Sequence, residues 1–276
     1  MINHGTPVED HRREFGLMVK REDMSCSSPA FSKTRGVWAH LNKVESGLVG
    51  VLDTYHSQAG HAVARACELL GKQVINFYPE FKYEPGHRKP QDEARGYGAE
   101  LRGIPAGRSA ILFHQAKRIL ADEARARGVK AYMMPNALKL PEMVVETEAE
   151  TKLTLESWPA ELPAPRQVII PSSSATIAAG VIAGFIKHRS TGCRFFIHLG
   201  YERTPEAVTR YVAKHLGHGL PAGLLKIINQ GYGYKDKARG GPTPPWPCNE
   251  YYDLKAFRWW MSQAQTDTPT LFWNIG

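Results

Sequence analysis

Short apolar runs alternate with helix-periodic segments along most of this chain from Ser46 onward. Gly50-Val51-Leu52-Asp53 reads as a buried strand, and Gly60 to Leu70 as a helix that stops at Gly71. Gln73 to Tyr78 predicts a second strand, ended by Pro79, and the polar stretch from Tyr83 to Gln91 a loop. Ser109 to Arg127 has the pattern of a long amphipathic helix capped by Gly128, followed by a strand from Lys130 to Met134 closed by Pro135. Leu138 to Ala164 is less regular and reads as a helix, with Glu142, Glu146, Glu148 and Glu150 as an acidic patch, then a proline-bearing linker. The rhythm resumes with strands at Gln167 to Ile170, Arg194 to Leu199, Leu224 to Ile228 and Thr270 to Trp273. Between them lie helices at Ile177 to His188, Pro205 to Leu216 (with Thr204 as expected N-cap) and Glu250 to Gln263. Strand alternating with helix predicts an α/β fold with mostly parallel sheets.

Composition narrows this little. The 276 residues suffice for one or two domains, and 42% hydrophobic with 22% charged residues is ordinary for globular chains. No apolar run is long enough to span a membrane, and the polar Met1 to Lys20 lacks a signal-peptide pattern. Cys26, Cys67, Cys193 and Cys248 are scattered without CxxC spacing, so neither a zinc site nor a disulfide framework is expected, and a reducing cytoplasm is. Thirty-five Lys and Arg against 27 acids, a net charge of +8, favour an anionic partner.

Three junctions carry candidate chemistry. Lys33 falls at the start of a helix-like segment, where a lysine amine can serve as a nucleophile toward an aldehyde cofactor. The run Ser172, Ser173, Ser174, Ala175, Thr176 joins a buried strand to a helix of small residues, so helix N–H groups, hydroxyls and the dipole can hold a phosphate. It is neither a Walker loop nor a dinucleotide fingerprint. His56, Ser57 and Gln58 follow another strand and precede another helix, at the strand end where α/β sheets bind ligands.

Together these segments resemble the fold-type II pyridoxal-phosphate enzymes, the tryptophan synthase β-like family. The resemblance rests on Lys20-Arg21-Glu22-Asp23, on Lys33 followed by Arg35-Gly36, on the Gly60-His61-Ala62-Val63-Ala64 helix start, and on the small-residue loop at Ser172. Gln230-Gly231-Tyr232-Gly233 and Glu250 to Ala256 resemble segments of the aminocyclopropanecarboxylate deaminase and D-cysteine desulfhydrase branch. The resemblance implies two three-layer α/β/α domains, a smaller inserted one over 45–136 and a larger cofactor-binding one over 1–44 plus 137–276, with the cofactor in the cleft between them. It implies pyridoxal 5'-phosphate as cofactor and Lys33 as the Schiff-base lysine. Ser172 to Thr176 then take the phosphate, and Asp253 takes the place of the branch's Glu at the ring nitrogen. Ser57 and Gln58 stand where the family has Ser-Asn, contacting substrate carboxylate and ring hydroxyl, with His56 beside them. Tyr232 and Tyr252 match tyrosines close to substrate. A homodimer is the family's common state.

The implied function is a lyase acting at the α-carbon of an amino acid, by decarboxylation or deamination. A carboxylate at the ring nitrogen keeps the ring protonated and strengthens the electron sink. The basic loop with Lys235, Lys237 and Arg239 suits a DNA substrate, an amino acid attached to a modified base, as in phage thymine hypermodification. A free-amino-acid deaminase or desulfhydrase, and an inactive nucleic-acid-binding relative, are the alternatives.

Overall fold

A computed structural model describes residues 2–26, 32–54, 56–83, 86, 88–188, 192–217, 223–263 and 267–276. The stretch from Ser28 to Phe31 ahead of Lys33 lies outside them. The elements in chain order are β1 (Val8–His11), α1 (Arg12–Phe15), β2 (Leu17–Arg21), α2 (Lys33–Leu41), β3 (Leu48–Leu52), α3 (Ala59–Leu69), β4 (Gln73–Glu80), α4 (Lys89–Gly96), β5 (Glu100–Pro105), α5 (Ser109–Arg127), β6 (Ala131–Met133), α6 (Pro141–Glu156), β7 (Gln167–Ser172), α7 (Thr176–His188), β8 (Arg194–Leu199), α8 (Pro205–Leu216), β9 (Leu225–Ile228), α9 (Asp253–Met261) and β10 (Thr270–Asn274). They form two compact units, residues 33–142 and residues 1–32 with 143–276.

The unit of residues 33–142 has a four-stranded sheet in the order β5-β4-β3-β6, parallel throughout. Side chains alternate across a strand. Leu48 and Leu52 therefore share a core with Ile75, Phe77 and Ile104 and with Leu112, Ala116, Leu120 and Ala124 of α5. A Cβ on Gly50 would lie 2.6 Å from Leu120 Cδ2, so glycine is what lets α5 sit close to β3. Val49 and Val51, also buried, face the other way, where α3 packs on β3 and β4 and α2 packs on α3.

In the unit of residues 1–32 and 143–276 the order is β1-β2-β10-β7-β8-β9, antiparallel only between β1 and β2. Leu17, Val19, Ile169 and Phe272 pack with Leu254, Phe257 and Trp260 of α9 and with Trp246. Burying Phe257 or Phe272 contributes roughly 1.5–3 kcal/mol each. On the opposite face Lys20 is fully buried, with its Nζ 2.6 Å from Glu150 Oε1 of α6. Glu150 also accepts N–H bonds from Gly5 and Thr6, both at 2.9 Å, so the acidic patch read along α6 is in part an internal ion pair. The run that follows Lys20 is equally structural: Arg21 chelates Asp23, and the Thr6 hydroxyl donates to Glu22.

The α/β reading holds, with local corrections. Pro79 does not end its strand, because β3 pairs with β4 only as far as Phe77 while β5 continues alongside to Glu80. The expected loop contains the start of α4: Pro90 sits in the first turn, where a missing N–H costs nothing, and Gln91 Oε1 accepts the Arg88 N–H at 2.8 Å. Strand β5 escapes the apolar pattern because it is an edge strand whose Glu100 pairs with Arg102 and Arg127. Thr204 makes no side-chain cap bond. Helix α9 starts at Asp253 rather than Glu250, since Asn249 Oδ1 accepts the Tyr251 N–H at 2.9 Å and holds a turn there.

Candidate active site

Ser172 ends β7, and the chain turns through Ser173, Ser174 and Ala175 into α7. Ala175 adopts φ 67°, a left-handed conformation that favours glycine. Ser172 Oγ accepts the Ala175 N–H at 3.1 Å, Ser174 Oγ lies 2.9 Å from Thr176 Oγ1, and Tyr211 of α8 reaches Thr176 Oγ1 at 3.3 Å. The first bond of α7 runs from Ala179 N–H to the Ala175 carbonyl, at 2.9 Å. The preceding first-turn N–H groups have no intrahelical acceptor and are directed at the loop. Arg203 donates to the Ser173 carbonyl and braces the turn from β8's side. The glycines of α7 serve a different purpose. A Cβ on Gly180 would lie 2.5 Å from Thr147 Cβ, and one on Gly184 2.5 Å from Thr151 Cβ, so they admit α6 rather than an anion.

Asp253 begins α9 and is buried. Its Oδ1 accepts the Ile275 N–H at 2.7 Å, whereas Oδ2 has no hydrogen-bond partner among the described residues. Burial pushes the carboxyl up to about 7 even with the opposing backbone hydrogen bond from Ile275. Tyr252 precedes it, and its ring lies against Gly200, where a Cβ would approach Cδ1 to 2.3 Å. Tyr232, also buried, follows β9. Lys255 Nζ lies 4.3 Å from the centroid of its ring and Arg239 5.1 Å. The basic loop is partly neutralised: Lys237 pairs with Glu250 at 2.7 Å and Arg239 lies 3.8 Å from Asp236, while Lys235 is exposed.

In the other unit, Lys33 is the half-buried first residue of α2. His56 is buried, Ser57 Oγ accepts the Ala59 N–H at 3.0 Å, and Gln58 Oε1 is buried with no partner among the described residues. The turn rests on Asp53, whose Oδ2 accepts from Gln91 Nε2 at 2.8 Å and whose Oδ1 accepts from the Thr54 N–H at 2.9 Å. Burial pushes this carboxyl up to about 6.

Ser172 to Thr176, Tyr232, Tyr252, Asp253 and the basic loop thus share one unit, at the C-terminal ends of parallel strands. Lys33, His56, Ser57 and Gln58 belong to the other. Sequence reasoning missed Lys255, Arg203 and Tyr211. Lys255 carries a signal in retrospect, a lysine among the apolar positions Leu254, Ala256 and Phe257. Arg203 and Tyr211 carry none.

A phosphorylated pyridine aldehyde fits these groups on two observations. The Ser172 to Thr176 turn offers hydroxyls and the N–H groups of a helix first turn to a phosphate, and the open oxygen of Asp253 offers an acceptor to a protonated ring nitrogen.

Comparison with known proteins agrees. A family profile described as "Pyridoxal-phosphate dependent enzyme" matches residues 2–226. The chain is 42% identical over 287 aligned positions to a protein of Pseudomonas phage M6 named "Glycyl-dTMP PLP-dependent decarboxylase", with 100% of both chains covered. It is 30% identical over 175 positions to the nocardicin C-9' epimerase of Nocardia uniformis subsp. tsuyamanensis, over 61% of this chain and 52% of that one. Among solved structures, an ACC deaminase homologue superposes with a TM-score of 0.77 at 18% identity, over 100% of this chain and 90% of that chain. The diaminopropionate ammonia lyase of Escherichia coli superposes at 0.66 and 14% identity, over 99% and 82%. At such identities the likeness is one of fold. The chain belongs to the pyridoxal-phosphate dependent enzymes, and pyridoxal 5'-phosphate is its cofactor.

Proposed function

We propose that this enzyme decarboxylates the α-carbon of a glycyl group carried on a thymidylate nucleotide in DNA, acting as a homodimer in a cytoplasm. The observation that carries the reading is the match along the full length of both chains to the phage decarboxylase. When bound, the cofactor supplies an electron sink for the pair left at the α-carbon when CO2 departs. The protein's own residues do the rest. Asp253 Oδ2 holds the ring-nitrogen proton, and its burial strengthens that bond. The Ser172 to Thr176 turn holds the phosphate through N–H groups and hydroxyls. Lys33 binds the cofactor aldehyde and returns a proton to the α-carbon. Ser57 and Gln58, with His56 beside them, orient the carboxylate through hydroxyl and amide N–H donors, and the open Gln58 Oε1 is an acceptor available to the cofactor's ring hydroxyl. Tyr232 and Tyr252 line the substrate side. Lys235, Lys237 and Arg239 contact backbone phosphates, which positions the DNA without reading its sequence.

The test is incubation of the holoenzyme with DNA bearing glycyl-modified thymine, followed by mass spectrometry of the nucleosides. Loss of one CO2 per modified base is expected, and Lys33→Ala should abolish it. Peptide mapping after borohydride reduction should place the cofactor's added mass on Lys33. An unchanged glycyl nucleoside, with ammonia released from free amino acids instead, would overturn the reading in favour of a free-amino-acid deaminase.

A further inference from the structure

Lys255 is a fully buried cation that the chemistry above does not use. It sits on α9 two residues beyond Asp253 and is 0% exposed. No carboxylate pairs with it among the described residues. Its ammonium donates to the Gly200 carbonyl and lies 4.3 Å from the centroid of the Tyr232 ring. Asp236 attracts it from further away, Arg239 repels it, and burial brings its pKa down to about 8. A buried ammonium without a carboxylate partner costs several kcal/mol in desolvation. Methionine would fill the same space without that cost, so packing alone does not account for a lysine here.

The contacts of Gly200 suggest what does. Its N–H donates to the Ser172 carbonyl at 2.9 Å, at the root of the phosphate turn. Its Cα is covered by the Tyr252 ring, with Tyr251 O 2.8 Å from where a Cβ would stand. Its carbonyl takes the Lys255 ammonium, and that ammonium in turn faces Tyr232. One lysine therefore ties the turn after β8 to the tyrosine after β9. The Tyr252 ring is thereby set against Gly200 directly and the Tyr232 ring through the ammonium, while the Tyr232 carbonyl accepts the Glu202 N–H at 2.8 Å.

We infer that Lys255 is the positioning residue of the substrate side: its ammonium holds the Tyr232 ring face and the Gly200 carbonyl in one arrangement, so that Tyr232 and Tyr252 meet the substrate in fixed orientation. The inference rests on the reading that these tyrosines face the substrate. Lys255 acts through them and does not touch the reacting atoms.

The test uses the holoenzyme labelled with 3-fluorotyrosine, the Tyr232 resonance being assigned by its absence in Tyr232→Phe. In Lys255→Met that resonance should shift, and in Lys255→Arg it should stay near its wild-type position. In parallel, Lys255→Met should lower kcat/KM on glycyl-modified DNA roughly 30-fold, the equivalent of a desolvated cation–π contact of about 2 kcal/mol. Cofactor affinity should change less than about 3-fold, because the phosphate turn and Asp253 are intact. In a Tyr232→Leu background the same substitution should cost little more, since contacting residues are coupled. An unmoved Tyr232 resonance overturns the inference, and so does a full additional loss in the Tyr232→Leu background. Should Lys255→Met not fold, Lys255→Gln is read in the same way. If the wild-type holoenzyme leaves glycyl-modified DNA untouched, the functional reading falls, and the fluorine resonance still decides whether Lys255 holds Tyr232.

Discussion

Ile275 N–H donates to Asp253 Oδ1 at 2.7 Å, and the Ile275 carbonyl accepts the Ser32 N–H at 3.3 Å. The residue at the head of α9 is thereby tied, through the end of the last strand, to the residue immediately before Lys33. This arrangement occupies one oxygen of Asp253 with the backbone and leaves the other without a partner among the described residues.

Asp253 makes folding of the apoprotein pH-dependent. Its folded-state pKa, about 7, lies above the ordinary 3.8, so the folded chain binds the proton more tightly than the unfolded one. The stability it contributes is present below about pH 4 and is lost as pH rises through about 7. Thermal unfolding of the apoprotein should show that decline, and Asp253→Asn should flatten it. The same variant should lower kcat on the order of 100-fold, the scale of removing one preorganised electrostatic contact.

Lys20 and Glu150 form a buried pair whose members cannot be removed singly. Lys20→Met should cost about 3–5 kcal/mol in urea unfolding, because Glu150 keeps its burial and loses its cation. The double variant Lys20→Met/Glu150→Leu should recover much of that loss, less the bonds Glu150 makes to the Gly5 and Thr6 N–H groups. Full additivity of the two single costs would contradict a direct pair.

Ala175 holds the turn between β7 and α7 in a left-handed conformation. Ala175→Gly removes a strain of about 1–2 kcal/mol and adds backbone entropy to the unfolded chain, so its melting temperature should stay within a few degrees of wild type. Ala175→Val places a β-branched side chain where φ is positive. It should lower stability by about 2 kcal/mol or more and weaken cofactor binding, measured by fluorescence titration of the apoprotein.

Two cations of the 235–239 loop, Lys237 and Arg239, are held by acids of the same surface. Glu250→Gln frees Lys237 and should tighten binding to duplex DNA at low salt. Lys237→Ala should reduce the slope of log affinity against log salt by about 1 without changing sequence preference. A salt-independent affinity would remove this loop from the DNA-binding surface.

The amino-acid order by itself determined the fold class, most strand and helix positions, and the cofactor. Periodicity of apolar residues is a local property and sets the elements, whereas the cofactor and the place of Asp253, which lies inside the helix that periodicity predicts, follow from the resemblance of short local segments to a known family. Elements with weak local signals were decided by tertiary context. Edge strand β5 is ordered by its ladder to β4, and α4 carries in its first turn a proline that local rules also allow in a loop. Side-chain roles were decided in the same way. Lys20 and Glu150 stand 130 positions apart and look like surface charges until β2 and α6 bring them within 2.6 Å. Gly180 and Gly184 look like an anion-binding helix until α6 occupies the space they leave. Lys255 looks like one more solvated lysine on a basic protein. Its burial against Gly200 and Tyr232 depends on where β8, β9 and α9 converge, and burial depends on three-dimensional neighbours that no local pattern encodes.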